Sequence, residues 1–140
     1  MKTTSSRIVL PAAMAALMAL ACALALASCA SLPEEGEGDP WVVHYFRPDG
    51  DYSGWDLWIW PAQPNDNGAG YAFGAPDAEG FVTTKAYLPE ETSEIGLIVR
   101  QGGDSWTAKD VADDRFSGAK EIWLISGDPV IYEEKPPVKR

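Results

Sequence analysis

Histidine and cysteine are almost missing from this chain. Its 140 residues hold one histidine, His44, and two cysteines, Cys22 and Cys29. A lone histidine excludes a metal centre built on several imidazoles. No serine sits in a nucleophile elbow. Basic residues are also scarce, with 11 Lys and Arg against 21 Asp and Glu and a formal net charge of −10. Such a surface repels phosphate backbones and anionic lipid, which argues against nucleic acid as a partner and against electrostatic membrane docking. After the first 30 residues no amphipathic helical stretch of useful length occurs, which removes helical bundles and α/β folds from consideration.

The first 28 residues read as a signal peptide. Lys2 and Arg7 precede an apolar run from Ile8 to Ala27, which ends in Leu26-Ala27-Ser28-Cys29. The small residues before Cys29 match a bacterial lipobox, in which the cysteine becomes the lipidated first residue of the mature chain. Cys22 competes less well, because Ala19 stands where the lipobox prefers leucine. An uncleaved membrane anchor is the alternative, since the run is long enough to span a bilayer, which takes roughly 20 residues. Cleavage before Cys29 removes Lys2 and Arg7, leaves a net charge of −12, and leaves no second cysteine for a disulfide. Stability must then come from a packed core in one small domain. Residues 29–40 are acidic and rich in Gly and Pro, a lipidated tether. Ala30 is not the aspartate associated with inner-membrane retention, so the expected location is the cell envelope, lipid-anchored and outward-facing (the outer membrane where two membranes exist).

The remainder, residues 41–134, alternates strands and turns. Strands are predicted at 41–47, 55–60, 71–73, 80–88, 94–101, 120–126 and 130–133. Pro48-Asp49-Gly50-Asp51 and Gly102-Gly103-Asp104 are turns, 61–70 is a loop, and 105–118 is irregular. Residues 135–140 read as a linker-like tail. Short strands between turn clusters indicate an all-β, immunoglobulin-like antiparallel β-sandwich formed by a single domain.

Aromatics are in surplus: all six tryptophans fall after residue 40. Three lie in Trp55-Asp56-Leu57-Trp58-Ile59-Trp60. Strand alternation puts Trp55, Leu57 and Ile59 on a core face and Asp56, Trp58 and Trp60 on the opposite one. Two indoles at i and i+2 on an open face form flat apolar surfaces suited to sugar rings; a cross-strand aromatic cluster under a loop uses the same pattern.

Catalytic signals are weak. His44 lies in an alternating strand and reads as structural. Asp49-Gly50-Asp51-Tyr52-Ser53-Gly54 matches the start of a calcium loop, but its twelfth position is Trp60 rather than glutamate, so a plain turn is expected. Carboxylates are abundant, and no spacing singles out a glycosidase pair. Neither a catalytic residue nor a metal or cofactor is expected.

His44-Tyr45-Phe46-Arg47-Pro48-Asp49-Gly50-Asp51-Tyr52-Ser53-Gly54 followed by Trp55–Trp60 resembles the opening of a family 41 carbohydrate-binding module, the pullulanase-associated domain. The resemblance continues through Gly96-Leu97-Ile98-Val99-Arg100, Lys109-Asp110, Asp114-Arg115-Phe116, Glu121-Ile122-Trp123-Leu124 and Gly127-Asp128-Pro129. It implies an immunoglobulin-like sandwich that binds α-glucans: glycogen, amylopectin, pullulan and malto-oligosaccharides. It also implies that Trp58 and Trp60 stack on consecutive glucose rings, with Trp106, Lys109 and Asp114 completing the site. Such modules usually precede large catalytic domains, so a glycoside hydrolase in trans or downstream is the implied partner. Two other readings remain open at this point: an envelope protein-interaction module on the same scaffold, and the N-terminal fragment of a pullulanase-type hydrolase.

Overall fold

The computed structural model describes residues 38–139. The predicted signal peptide, the Cys29 lipidation site and most of the tether lie outside the described residues. Among the described residues seven strands form: β1 Trp41–Phe46, β2 Trp55–Gln63, β3 Ala69–Ala72, β4 Phe81–Ala86, β5 Glu94–Gln101, β6 Ala108–Phe116 and β7 Glu121–Ile125. They make a three-stranded sheet ordered β4-β1-β7 and a four-stranded sheet ordered β3-β2-β5-β6. The fold is an all-β sandwich, as the alternation predicts.

The core follows from that alternation. Val43, Tyr45, Val82, Ile122 and Leu124 from the first sheet meet Leu57, Ile59, Ile95, Leu97 and Val99 from the second, all fully buried. Each such side chain contributes about 1.5–3 kcal/mol by leaving water. Trp55 packs partly exposed against this cluster, on the face expected of it.

Several elements depart from expectation. β1 and β7 pair in parallel, with Val43 opposite Ile122, so the sandwich is antiparallel in all its strand pairs but this one. Residues 108–116, expected to be irregular, form β6. Two register shifts against β5 break its alternation, and Asp110, Asp113 and Asp114 are poor strand formers, so no period of two shows in its sequence. β2 runs beyond Trp60 to Gln63 through a bulge after Pro61, and this occupies the start of the expected loop. Residues 130–133 make only a single bridge, Tyr132 to Trp123.

The residues after Tyr132 cross the outer side of the three-stranded sheet. Tyr132 bonds the free edge of β7 through Trp123, with N···O distances of 2.8 and 3.0 Å. Lys135 reaches the other edge, 2.7 Å from Glu79 and 5.3 Å from the Phe81 ring centre, and Pro136 is buried. No helix among the described residues is long and apolar enough to cross a membrane.

Candidate functional site

The outer face of the four-stranded sheet carries the aromatic platform. β2 turns Asp56, Trp58 and Trp60 outward, and pairing sets them opposite Arg100, Ile98 and Gly96 of β5. Both indoles are partly exposed. Glycines make room for both rings. A Cβ on Gly96 would stand 1.9 Å from the Trp60 ring, and one on Gly68 would stand 2.8 Å from Trp58 Nε1. A glycine directly opposite Trp60 thus gives the indole a floor of bare backbone.

Trp106 joins the platform from a different element. It follows a single 3-10 turn, Gly103–Ser105, and adopts φ 49°, a left-handed conformation uncommon for a bulky residue. Its N–H donates to the Gly103 carbonyl at 3.1 Å. The ring meets Trp58 edge to face, with centroids 5.8 Å apart and planes at 65°. Lys109 brings its exposed ammonium 5.2 Å from the same ring.

Asp114 lies at the opposite end of the face. It lines a cleft of about 440 Å³ with Trp60, Ala62, Gln63, Asn65 and Arg115. Arg115 is held there by Glu94 at 2.7 Å. Trp58, Trp106 and Lys109 therefore gather at one end of the platform, Trp60 and Asp114 at the other, and β2 joins the two.

Arg100 is the residue that sequence reasoning passed over. Its guanidinium lies 4.6 Å from the Trp58 ring centre and 4.6 Å from that of Trp106, and only 3% of the residue is exposed. Nε and Nη2 donate to the two Asp56 oxygens at 2.8 and 3.1 Å. The available signal was an arginine directly after the uncharged stretch Ile95–Val99, on a strand beside the one carboxylate of the aromatic strand.

Other polar groups are committed elsewhere. His44 stacks on Trp123 at 4.7 Å and bonds Thr83 at 2.7 Å and Glu121 at 2.9 Å, a structural use as expected. Asp49 accepts from Arg47 at 2.7 Å and from the Asp51 N–H at 3.0 Å. The Arg47 guanidinium, with that N–H, holds the Asp49 carboxyl below the usual carboxylate range. Both observations fit the plain turn expected at 48–51.

The fold and this face define a small all-β module with an exposed aromatic platform. Residues 39–133 match the bacterial pullanase-associated domain, and the chain belongs to that family. Among solved structures it is similar to SpuA, described as a multi-modular glycogen-degrading pneumococcal virulence factor and solved as a product complex. The likeness has 24% identity and a TM-score of 0.52, and covers 69% of this chain and 11% of that one. It establishes the shared fold, and the chain spans a small fraction of that protein's length.

Proposed function

We propose that this protein is a non-catalytic binder of α-glucans, among them glycogen, amylopectin, pullulan and malto-oligosaccharides. The observation that carries the reading is the Trp58 and Trp60 pair, two places apart on an outward strand face with glycines beneath and beside the rings. Strand twist turns successive outward residues relative to one another, which suits the curve of an α-linked chain. Each stacked ring contributes on the order of 1–3 kcal/mol by analogy with base stacking. Lys109 donates to sugar hydroxyls at one end and Asp114 accepts from them at the other. Membership of a pullanase-associated family and likeness to a glycogen-degrading enzyme support the substrate class. In this reading the chain is tethered through lipid on Cys29 at the outward side of the bacterial envelope, where it holds glucan for a glycoside hydrolase acting in trans or encoded downstream.

Affinity electrophoresis in glycogen-containing gels tests the proposal. The protein is expected to be retarded, and Trp58→Ala combined with Trp60→Ala to restore free migration. Free migration of the unsubstituted protein, or retardation indifferent to both substitutions, refutes the reading.

A further inference from the structure

Arg100 is a buried charge with an incomplete set of bonds. Asp56 takes Nε and Nη2, but Nη1 is shielded from solvent without a hydrogen-bond partner. Its nearest anion is Asp104, at 3.6 Å and with a side chain 99% exposed. Burying a guanidinium and leaving one nitrogen unbonded is costly, and apolar replacements of buried ion pairs are often as stable. Stability alone is therefore a poor account of this residue.

The geometry gives another. Two indoles crossing at 65° both turn a face toward one planar cation. Asp56 grips that cation from β2, the strand that carries Trp58 two residues on. Space for the grip exists because residue 70 is glycine: a Cβ there would lie 2.6 Å from Nη2. The guanidinium is a flat plate whose orientation the carboxylate fixes, and rings resting on a fixed plate have fixed planes. Trp60 has a different support, the bare backbone of Gly96.

We infer that Arg100 is a positioning residue, clamped by Asp56, that sets the ring planes of Trp58 and Trp106 for stacking against sugar, and that Trp60 is positioned independently of it. The consequence for affinity rests on the α-glucan reading above; the consequence for the rings does not. Arg100 itself is too buried to touch ligand.

Arg100→Lys separates this role from a structural one. Lysine keeps the charge and a contact to Asp56 but loses the planar stack and the two-point grip. Glycogen affinity is expected to fall by about tenfold, equivalent to roughly 1.4 kcal/mol. The same factor should appear in a Trp60→Ala background and shrink markedly in a Trp58→Ala background, because the effect acts through Trp58. An equal loss in both backgrounds, or no loss in the parent chain, overturns the inference. The ligand-free protein offers a second measurement. Arg100→Lys should raise acrylamide quenching of indole fluorescence, and the rise should vanish when Trp58 and Trp106 are both alanine. Unchanged quenching overturns the positioning role even where glucan binding holds, whereas raised quenching without glycogen retardation upholds it and removes only the α-glucan reading.

Discussion

Asp110 joins three strands with one carboxylate. It accepts from the Tyr45 hydroxyl of β1 and from the Gly127 N–H, at 2.9 Å, just beyond β7, while itself belonging to β6. Arg47 donates to the same Tyr45 oxygen at 3.1 Å. Burial alone would raise the Asp110 pKa. Hydrogen bonds from Ser126, Tyr45 and Gly127, with the charge of Arg47, outweigh burial and hold it below the ordinary range. Burial first, then the bond to Asp110, pushes the Tyr45 phenol well above its usual value. A carboxyl lowered in the folded state adds stability above its unfolded pKa, and that stability is lost as pH falls through the folded value. Asp110→Asn should therefore cost about 1–3 kcal/mol at pH 7. In urea melts the gap to the parent protein should narrow as pH drops below about 4. A gap constant with pH would show that the charge of Asp110 is not what stabilises the junction. At this scale the sequence revealed residues whose meaning is local, such as the outward indoles of β2. Arg100 stayed hidden because its partner Asp56 is 44 positions away and its role exists only once β2 and β5 pair.

β5 works differently on its two faces. Inward it supplies Ile95, Leu97 and Val99 to the core, and outward it offers Gly96, Ile98 and Arg100 as support for the rings of β2. Damage to one face should spare the other. Gly96→Ala puts a methyl group into the Trp60 ring, which must swing away. Its glycogen affinity should fall to about that of Trp60→Ala, one stacked ring or roughly 1–3 kcal/mol. Its urea midpoint should shift far less than that of Leu57→Ala, a cavity substitution costing about 2–5 kcal/mol. Native affinity in Gly96→Ala would mean that Trp60 does not need its glycine floor. Elements that keep strict alternation, β1, β2 and β5, were legible in advance. β6 was not, because bulges that re-aim its side chains also erase the period by which a strand is recognised. The parallel pairing of β1 and β7 was equally out of reach, since strand direction leaves no mark in a segment of five residues.

The two outer surfaces of the sandwich have unlike fates. One carries the aromatic platform, and the other is crossed by the segment between Tyr132 and Lys135. Lys135 opens the stretch 135–140 that read as a linker-like tail, and its anchor was not legible because the Lys135–Glu79 pair joins residues 56 apart. The whole chain is strongly acidic, at −10, yet the proposed ligand is neutral. Contacts between rings and uncharged sugars involve no ion pair for salt to screen. Glycogen affinity should therefore change by less than about twofold between 50 mM and 500 mM sodium chloride, a range over which the Debye length shortens about threefold. A steep decline with salt would count against stacking as the source of affinity.

Of the six tryptophans, Trp58 and Trp106 form a crossed pair at 5.8 Å. Indoles that close, with transition dipoles at an angle, share an absorbed photon. Shared excitation splits the absorption band and gives circular dichroism two lobes of opposite sign. The protein thus carries a built-in optical gauge of its own platform. Any ligand that parts or tilts these two rings would rewrite that couplet without a label, a cofactor or a reporter group.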